Sequence, residues 1–138
     1  MNKTLETGVR NARNVDRYVF GAGTIGELSA FLACYRQNAE DRVIFLVDEF
    51  FQTNPTILGK LPIGLADTVR YVSTAEEPTT DGIDDVVEQL LADGPRPCTL
   101  VGIGGGITLD TTKAVSNLIA NGGKAADYQG WDLVPGPG

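Results

Sequence analysis

Apolar residues recur along this chain in two rhythms, short runs of strand length alternating with stretches at helical spacing, and the alternation repeats four times. The clearest run is 42–48 (RVIFLVD), five consecutive apolar residues closed by Asp48, a pattern that predicts a buried central parallel strand. Residues 67–72 (DTVRYV) and 99–103 (TLVGI) predict two further strands. Residues 15–20 (VDRYVF) alternate imperfectly and carry Asp16, Arg17 and Tyr18, which predicts an exposed or edge strand. The helical stretches follow in step. Thr24 and Glu27 form a capping-box pattern ahead of Ile25, Leu28, Phe31, Leu32 and Tyr35. Asn54 and Pro55 open a short helix to about Leu61, with the asparagine as cap, and Pro62 stops it. Asp81 opens a third helix with Ile83, Val86, Val87, Leu90 and Leu91 on one face; Asp84, Asp85 and Glu88 belong to its solvated side, and Gly94 ends it. In the fourth, Ile107, Thr111, Ala114 and Leu118 form a stripe widened by Val115 and Ile119, while Asp110, Lys113 and Asn117 form another.

Strand–helix alternation of this kind predicts an α/β fold, a Rossmann-like, mostly parallel sheet with helices on both faces. In such a sheet a ligand lies over the carboxyl ends of the strands, here those ending at Asp48 and Ile103. The expected organisation is one α/β domain over 1–138. Within it, 1–14 is a polar N-terminal segment and 122–138 a tail with a short turn or helix near 125–128, anchored by Tyr128 and Trp131. The closing VPGPG reads as an interdomain crossing, so a cut domain is expected.

Composition narrows the chemistry. With 138 residues, 42% hydrophobic content and a mean hydropathy near zero, a globular cytoplasmic domain is expected, without a membrane span or secretory signal. The net charge of −7 and the scattering of the eleven basic residues argue against a nucleic-acid partner. Cys34 and Cys98, far apart and in otherwise apolar segments, are expected to be reduced, buried thiols. The absence of histidine removes histidine-based nucleophilic arrangements and most transition-metal sites from this stretch of polypeptide.

The chemistry-bearing stretch is TLVGIGGGITLDTTK, where a strand enters Gly104, Gly105 and Gly106 and leaves as a helix. Bare backbone lets a ligand approach closely, and the unpaired amides of a helix start suit a phosphate or diphosphate. Asp48, at the end of the neighbouring strand, is placed to accept hydrogen bonds from ribose hydroxyls and to repel a 2′-phosphate; its alternative role is a turn acid for the segment that follows. Asp110 and Lys113 have two readings as well, ligand contact or a solvated i,i+3 ion pair. A second glycine cluster, 21–26 (GAGTIG), matches the dinucleotide fingerprint G-x-G-x-x-G. It follows a poor candidate for a buried strand, and so predicts a tight turn before an ordinary helix.

On these residues the chain resembles the cofactor domain of the iron-containing, or group III, alcohol dehydrogenases, a superfamily shared with glycerol dehydrogenase and 3-dehydroquinate synthase. FGAGTIGEL resembles the entry turn, VIFLVD the strand with the ribose-binding acid, and GGGITLDTTK the signature G-G-G-x-x-x-D-x-x-K. The tail is similar to that of the branch oxidising the 8-position of the sugar acid 3-deoxy-manno-octulosonate. The resemblance implies a dehydroquinate synthase-like N-terminal fold binding NAD, with NADP the alternative. Asp48 would sit on the ribose, Gly104, Gly105 and Gly106 on the diphosphate, and Asp110 nearer the nicotinamide, with Lys113 at the cofactor site or domain junction. It further implies a divalent metal (iron, zinc or manganese) held in a following helical domain, an alcohol or sugar-acid substrate, a possible homo-oligomer, and no catalysis by this piece alone. Ile107 departs from the serine that many members carry after the glycines, which removes a hydroxyl contact. A dehydroquinate synthase-like lyase and a stand-alone nucleotide-binding module are the competing expectations.

Overall fold

A computed structural model of the chain describes residues 15–130, 133–136 and 138; the N-terminal segment 1–14 and Trp131 lie outside the described residues. Three parallel strands, β1 (Val43–Asp48), β2 (Thr68–Val72) and β3 (Thr99–Ile103), pair in the order β2-β1-β3. The helices are α1 (Leu28–Leu32), α2 (Phe50–Thr53), α3 (Thr80–Ala92) and α4 (Gly106–Asn121), with 3-10 turns at Thr24–Glu27, Pro55–Lys60 and Ala125–Tyr128. As the continuous apolar run predicts, β1 is central, and Val43 to Val47 are fully buried. Because side chains alternate along a strand, its residues divide between two layers. Ile44 and Leu46 pack with Ile83, Leu90, Val115, Leu118 and Ile119 of α3 and α4. Val43, Phe45 and Val47 pack on the opposite face with Leu32 and Leu61. The α/β fold, with its small parallel sheet and helices on both faces, is therefore present.

The path from β1 to β2 runs over one face and the return from β2 to β3 over the other. That reversal opens a crevice above the carboxyl ends of β1 and β3, where ligands of such sheets bind. The amino ends are closed by buried polar bonds. Arg42, 3% exposed, donates to Thr68 Oγ1 and to the carbonyls of Leu90 and Pro95. Asp67 pairs with Arg36 and accepts the amides of Val43 at 2.8 Å and Gly64 at 2.6 Å.

Several expectations need correction. Residues 15–20 pair with no strand among the described residues: Val15, Tyr18 and Phe20 are 76, 82 and 95% exposed, so polar interruptions outweigh the weak alternation there. Thr24 caps nothing; Gly23 takes the cap position, and the Thr24 hydroxyl donates backward to the Gly21 carbonyl at 2.9 Å. Asn54 does hold the cap position ahead of the 3-10 turn that Pro55 opens, but its side chain donates to Phe50 O and makes no cap bond. The third helix is capped by Thr79, whose hydroxyl accepts the Gly82 amide at 3.1 Å, and Asp81 sits in its first turn. Asp84 is not solvated: its side chain is 15% exposed, accepts the Ala125 amide at 2.8 Å and lies 3.8 Å from Lys124 Nζ. Cys34 and Cys98 are both free and exposed rather than buried. Partial burial still pushes the Cys98 thiol up, with the negative charge of Asp41 adding to the effect. Tyr128 fulfils its expected role as an anchor, its hydroxyl donating to Gly122 O at 2.8 Å while its ring packs on the α3/α4 layer.

Asp41 holds the loop ahead of β1. Its carboxylate accepts the amides of Asn38 at 2.8 Å and Gln37 at 2.7 Å, and these bonds hold its pKa below the ordinary value. A lowered folded-state pKa contributes stability only while the carboxylate is ionised, and that contribution disappears as pH falls through it. Asp41→Asn is therefore expected to melt below the parent chain at pH 7 and to approach it as the pH falls below the ordinary aspartate range, as read by paired thermal melts.

Candidate functional site

The site is built where β3 runs into α4 with almost no spacer. Gly102 in β3 and Gly104 just past its end, two residues apart, face the same way; Thr108 and Thr112, four apart, lie on one face of α4. A Cβ on Gly102 would meet Thr112 Oγ1 at 2.7 Å, and one on Gly104 would meet Thr108 Oγ1 at 2.7 Å and Asp48 Cβ at 2.9 Å. Bare backbone on the strand thus admits the helix at close range and brings the end of β1 against the turn.

The other two glycines do something different. A Cβ on Gly105 or Gly106 would meet nothing within 4 Å, so their backbone faces open space at the first turn of a sixteen-residue helix. Gly105 is the N-cap of α4 and supplies no side-chain cap. The amides of this turn, at the positive end of the helix dipole, are arranged for an anion. In the first two turns of this helix, Thr108 Oγ1 and Thr111 Oγ1 are buried without a hydrogen-bond partner among the described residues, Thr108 being 0% and Thr111 4% exposed. Two orphaned hydroxyls at one helix start, beside a cradle open on its outer side, fit a polar ligand whose oxygens complete their bonding.

Asp48 lies one step beyond the last β1–β3 pair, Val47 with Ile103, and so stands beside Gly104. It falls on the α3/α4 side of the sheet, in line with Ile44 and Leu46. Its Oδ1 accepts the Phe50 amide at 2.9 Å, which fixes the carboxylate and leaves Oδ2 for a ligand. The turn-acid role is thus the one the structure shows for this side chain. Asp110 and Lys113 stand apart from this pair. They bond to each other at 3.2 Å, 69 and 77% exposed, on the solvent side of α4. Lys113 also borders a cavity of about 390 Å³ along the outer edge of β3, between Leu100 and the C-terminal tail, away from the glycine turn.

The 21–26 cluster forms no such cradle. Gly21 and Gly23 have positive φ just ahead of a 3-10 turn, which leads into α1, five residues long and packed toward the Leu32–Phe45 layer. A helix of that length has little dipole to offer. Of the buried threonines, Thr111 lies on the expected stripe, whereas Thr108 and Thr112 escaped sequence reasoning: both are buried, while Ile107 and Ala114 of that stripe are half-buried. The available signal was the G-x-G spacing within 99–104, which marks a strand face that something approaches closely.

The family model described as "Iron-containing alcohol dehydrogenase" matches residues 16–137. The chain belongs to the iron-containing alcohol dehydrogenase family. Among curated members, the sulfoacetaldehyde reductase of Bilophila wadsworthia (strain 3_1_6) is 40% identical over 67 residues, covering 49% of this chain and 17% of that relative. Among solved structures, the sulfoacetaldehyde reductase from Bifidobacterium kashiwanohense in complex with NAD+ superposes with a TM-score of 0.62 at 22% identity, covering 80% of this chain and 28% of the other. The NADH-dependent butanol dehydrogenase A from Thermotoga maritima gives 0.52 at 21% identity, covering 85% and 29%. At that identity the two structures speak for the fold, and the chain spans less than a third of the length of each of these relatives.

Iron, which names the family, finds no ligand set among the described residues. Among the described residues no three His, Cys, Asp or Glu side chains gather where they could hold an ion, and the sequence has no histidine. Among the same residues no helix is long and apolar enough to cross a membrane.

The two kinds of glycine separate experimentally. Gly104→Ala drives a methyl into Thr108 and Asp48 and is expected to cost about 2 kcal/mol or more in urea unfolding. Gly105→Ala, entering open space at a negative φ, is expected to leave stability within about 0.5 kcal/mol.

Proposed function

We propose that this chain is the cofactor-holding part of a metal-dependent, NAD-linked alcohol or polyol dehydrogenase. The observation that carries the reading is the open amide shelf of Gly105 and Gly106, one position from the carboxylate of Asp48. The shelf would take the diphosphate, with Thr108 beneath it. Asp48 Oδ2 would accept from the ribose hydroxyls, and its charge would repel the 2′-phosphate that distinguishes NADP, so NAD is the preferred cofactor. When bound, the nicotinamide supplies the hydride acceptor or donor of the family's reaction. The chain's own contribution is to bind and orient.

Support comes from the family membership and from the NAD+ described for the matched B. kashiwanohense reductase. Asp110 and Lys113, on the exposed face of α4, enter the reading as groups near the reactive end of the cofactor, or facing whatever covers that side of the helix. The alcohol substrate, a sugar acid in the reading taken from the tail, would be bound with its metal by polypeptide beyond this chain's described residues.

Titration of NAD into the folded chain, followed through the backbone amides of Gly105 and Gly106, tests the reading. Both signals are expected to move, with NADP binding more weakly. Asp48→Ala is expected to weaken NAD about tenfold, corresponding to roughly 1.4 kcal/mol of lost hydrogen bonding, and NADP less. Unmoved glycine amides at millimolar cofactor would sink the proposal, and an equal response of the two cofactors to Asp48→Ala would sink the role given to that carboxylate.

A further inference from the structure

The residue after Asp48 is also acidic, and its bonds run the other way. Asp48 Oδ1 turns back onto its own loop through Phe50, whereas Glu49 reaches across to the loop after β2. Glu49 Oε1 accepts both the Ser73 hydroxyl at 3.0 Å and the Thr74 amide at 3.1 Å, and its own amide donates to Val72 O at 3.0 Å. Three bonds from one residue thus fasten the β1–α2 turn to the start of the β2–α3 loop, 24 and 25 positions away for the two side-chain contacts.

We propose that Glu49 is a positioning residue for the dinucleotide site, clamping the loop after β2 against the turn that carries Asp48 so that the two flank the bound ribose in fixed register. The inference rests on the cofactor reading above. The segment between β2 and α3 has no helix or strand of its own until Thr80, and the residues from Ser73 to Pro78 are held by few other side-chain bonds; Ser73 Oγ also accepts the Ala75 amide, at a long 3.5 Å. Such loops hold a ligand well only when tied to a rigid element. β1 is the most rigid element available, fully buried over five residues and paired on both sides. Glu49 itself is exposed, so its bonds add little to global stability, and their effect is on where the loop sits. The clamp uses a single acceptor atom, Oε1, which a glutamine can also provide, and this separates position from charge.

The test compares the 138-residue chain with Glu49→Ala and Glu49→Gln, reading hydrogen exchange at the Thr74 amide without cofactor and NAD affinity by calorimetry. Glu49→Ala is expected to speed exchange at Thr74 and to weaken NAD about fivefold, while shifting the melting temperature by no more than about 2 °C. Glu49→Gln is expected to restore both readouts to within about twofold of the parent. Parent-like NAD affinity in Glu49→Ala, or a Glu49→Gln variant as impaired as Glu49→Ala, overturns the positioning role while leaving the cofactor reading intact. A parent chain that binds no NAD while Thr74 exchange still responds to Glu49→Ala overturns the cofactor reading, and the positioning role falls with it.

Discussion

The close seating of α4 on β3 is the constraint from which the rest of the site follows. Gly102 and Gly104 leave no side chain between strand and helix, and Thr112 and Thr108 occupy the space that a Cβ would fill. A helix that close must begin at once where the strand stops, so Gly105 and Gly106 become its first turn and their backbone stands open above the sheet. The same contact presses the end of β1 against Gly104, which is why Asp48 is beside the turn. One steric fact thereby places an anion-seeking helix start and a carboxylate in a single crevice.

That arrangement leaves polar groups undersatisfied. The Thr112 hydroxyl donates to Thr108 O at 2.7 Å, but the hydroxyls of Thr108 and Thr111 are buried without partners among the described residues, a condition that costs on the order of 1–3 kcal/mol for each group. The opposite end of the sheet shows the contrasting pattern: Arg42 is buried with four donated bonds, and Asp67 ties together Arg36, Val43 and Gly64. Stability is concentrated at the amino ends of the strands. Unsatisfied and open groups collect at the carboxyl ends, as expected where a ligand completes the structure.

The first turn of α4 also shows why similar glycine patterns differ in meaning. The 21–26 cluster satisfies the dinucleotide fingerprint letter by letter, yet among the described residues no paired strand leads into it and only a five-residue helix follows. The 104–106 cluster lacks the fingerprint spacing and has both the strand and the long helix. A phosphate responds to amides and dipole, which depend on those flanking elements rather than on the glycines alone.

The amino-acid order by itself determined the central strand at 42–48, the strand–helix alternation, the parallel sheet with two helical layers, and Asp48 and the 104–106 turn as neighbours at the carboxyl ends. These are legible because uninterrupted apolar runs, helical spacing and glycine placement act within a few residues of chain. Tertiary structure alone decided that 15–20 joins no strand among the described residues and that Asp84 docks the Ala125–Tyr128 turn. It also set the burial of Thr108 and Thr112 beside the expected stripe, and the crossing from Glu49 to Ser73 and Thr74. Each of those outcomes depends on how closely two distant segments approach, and that distance is set by packing across the sheet rather than by any local propensity.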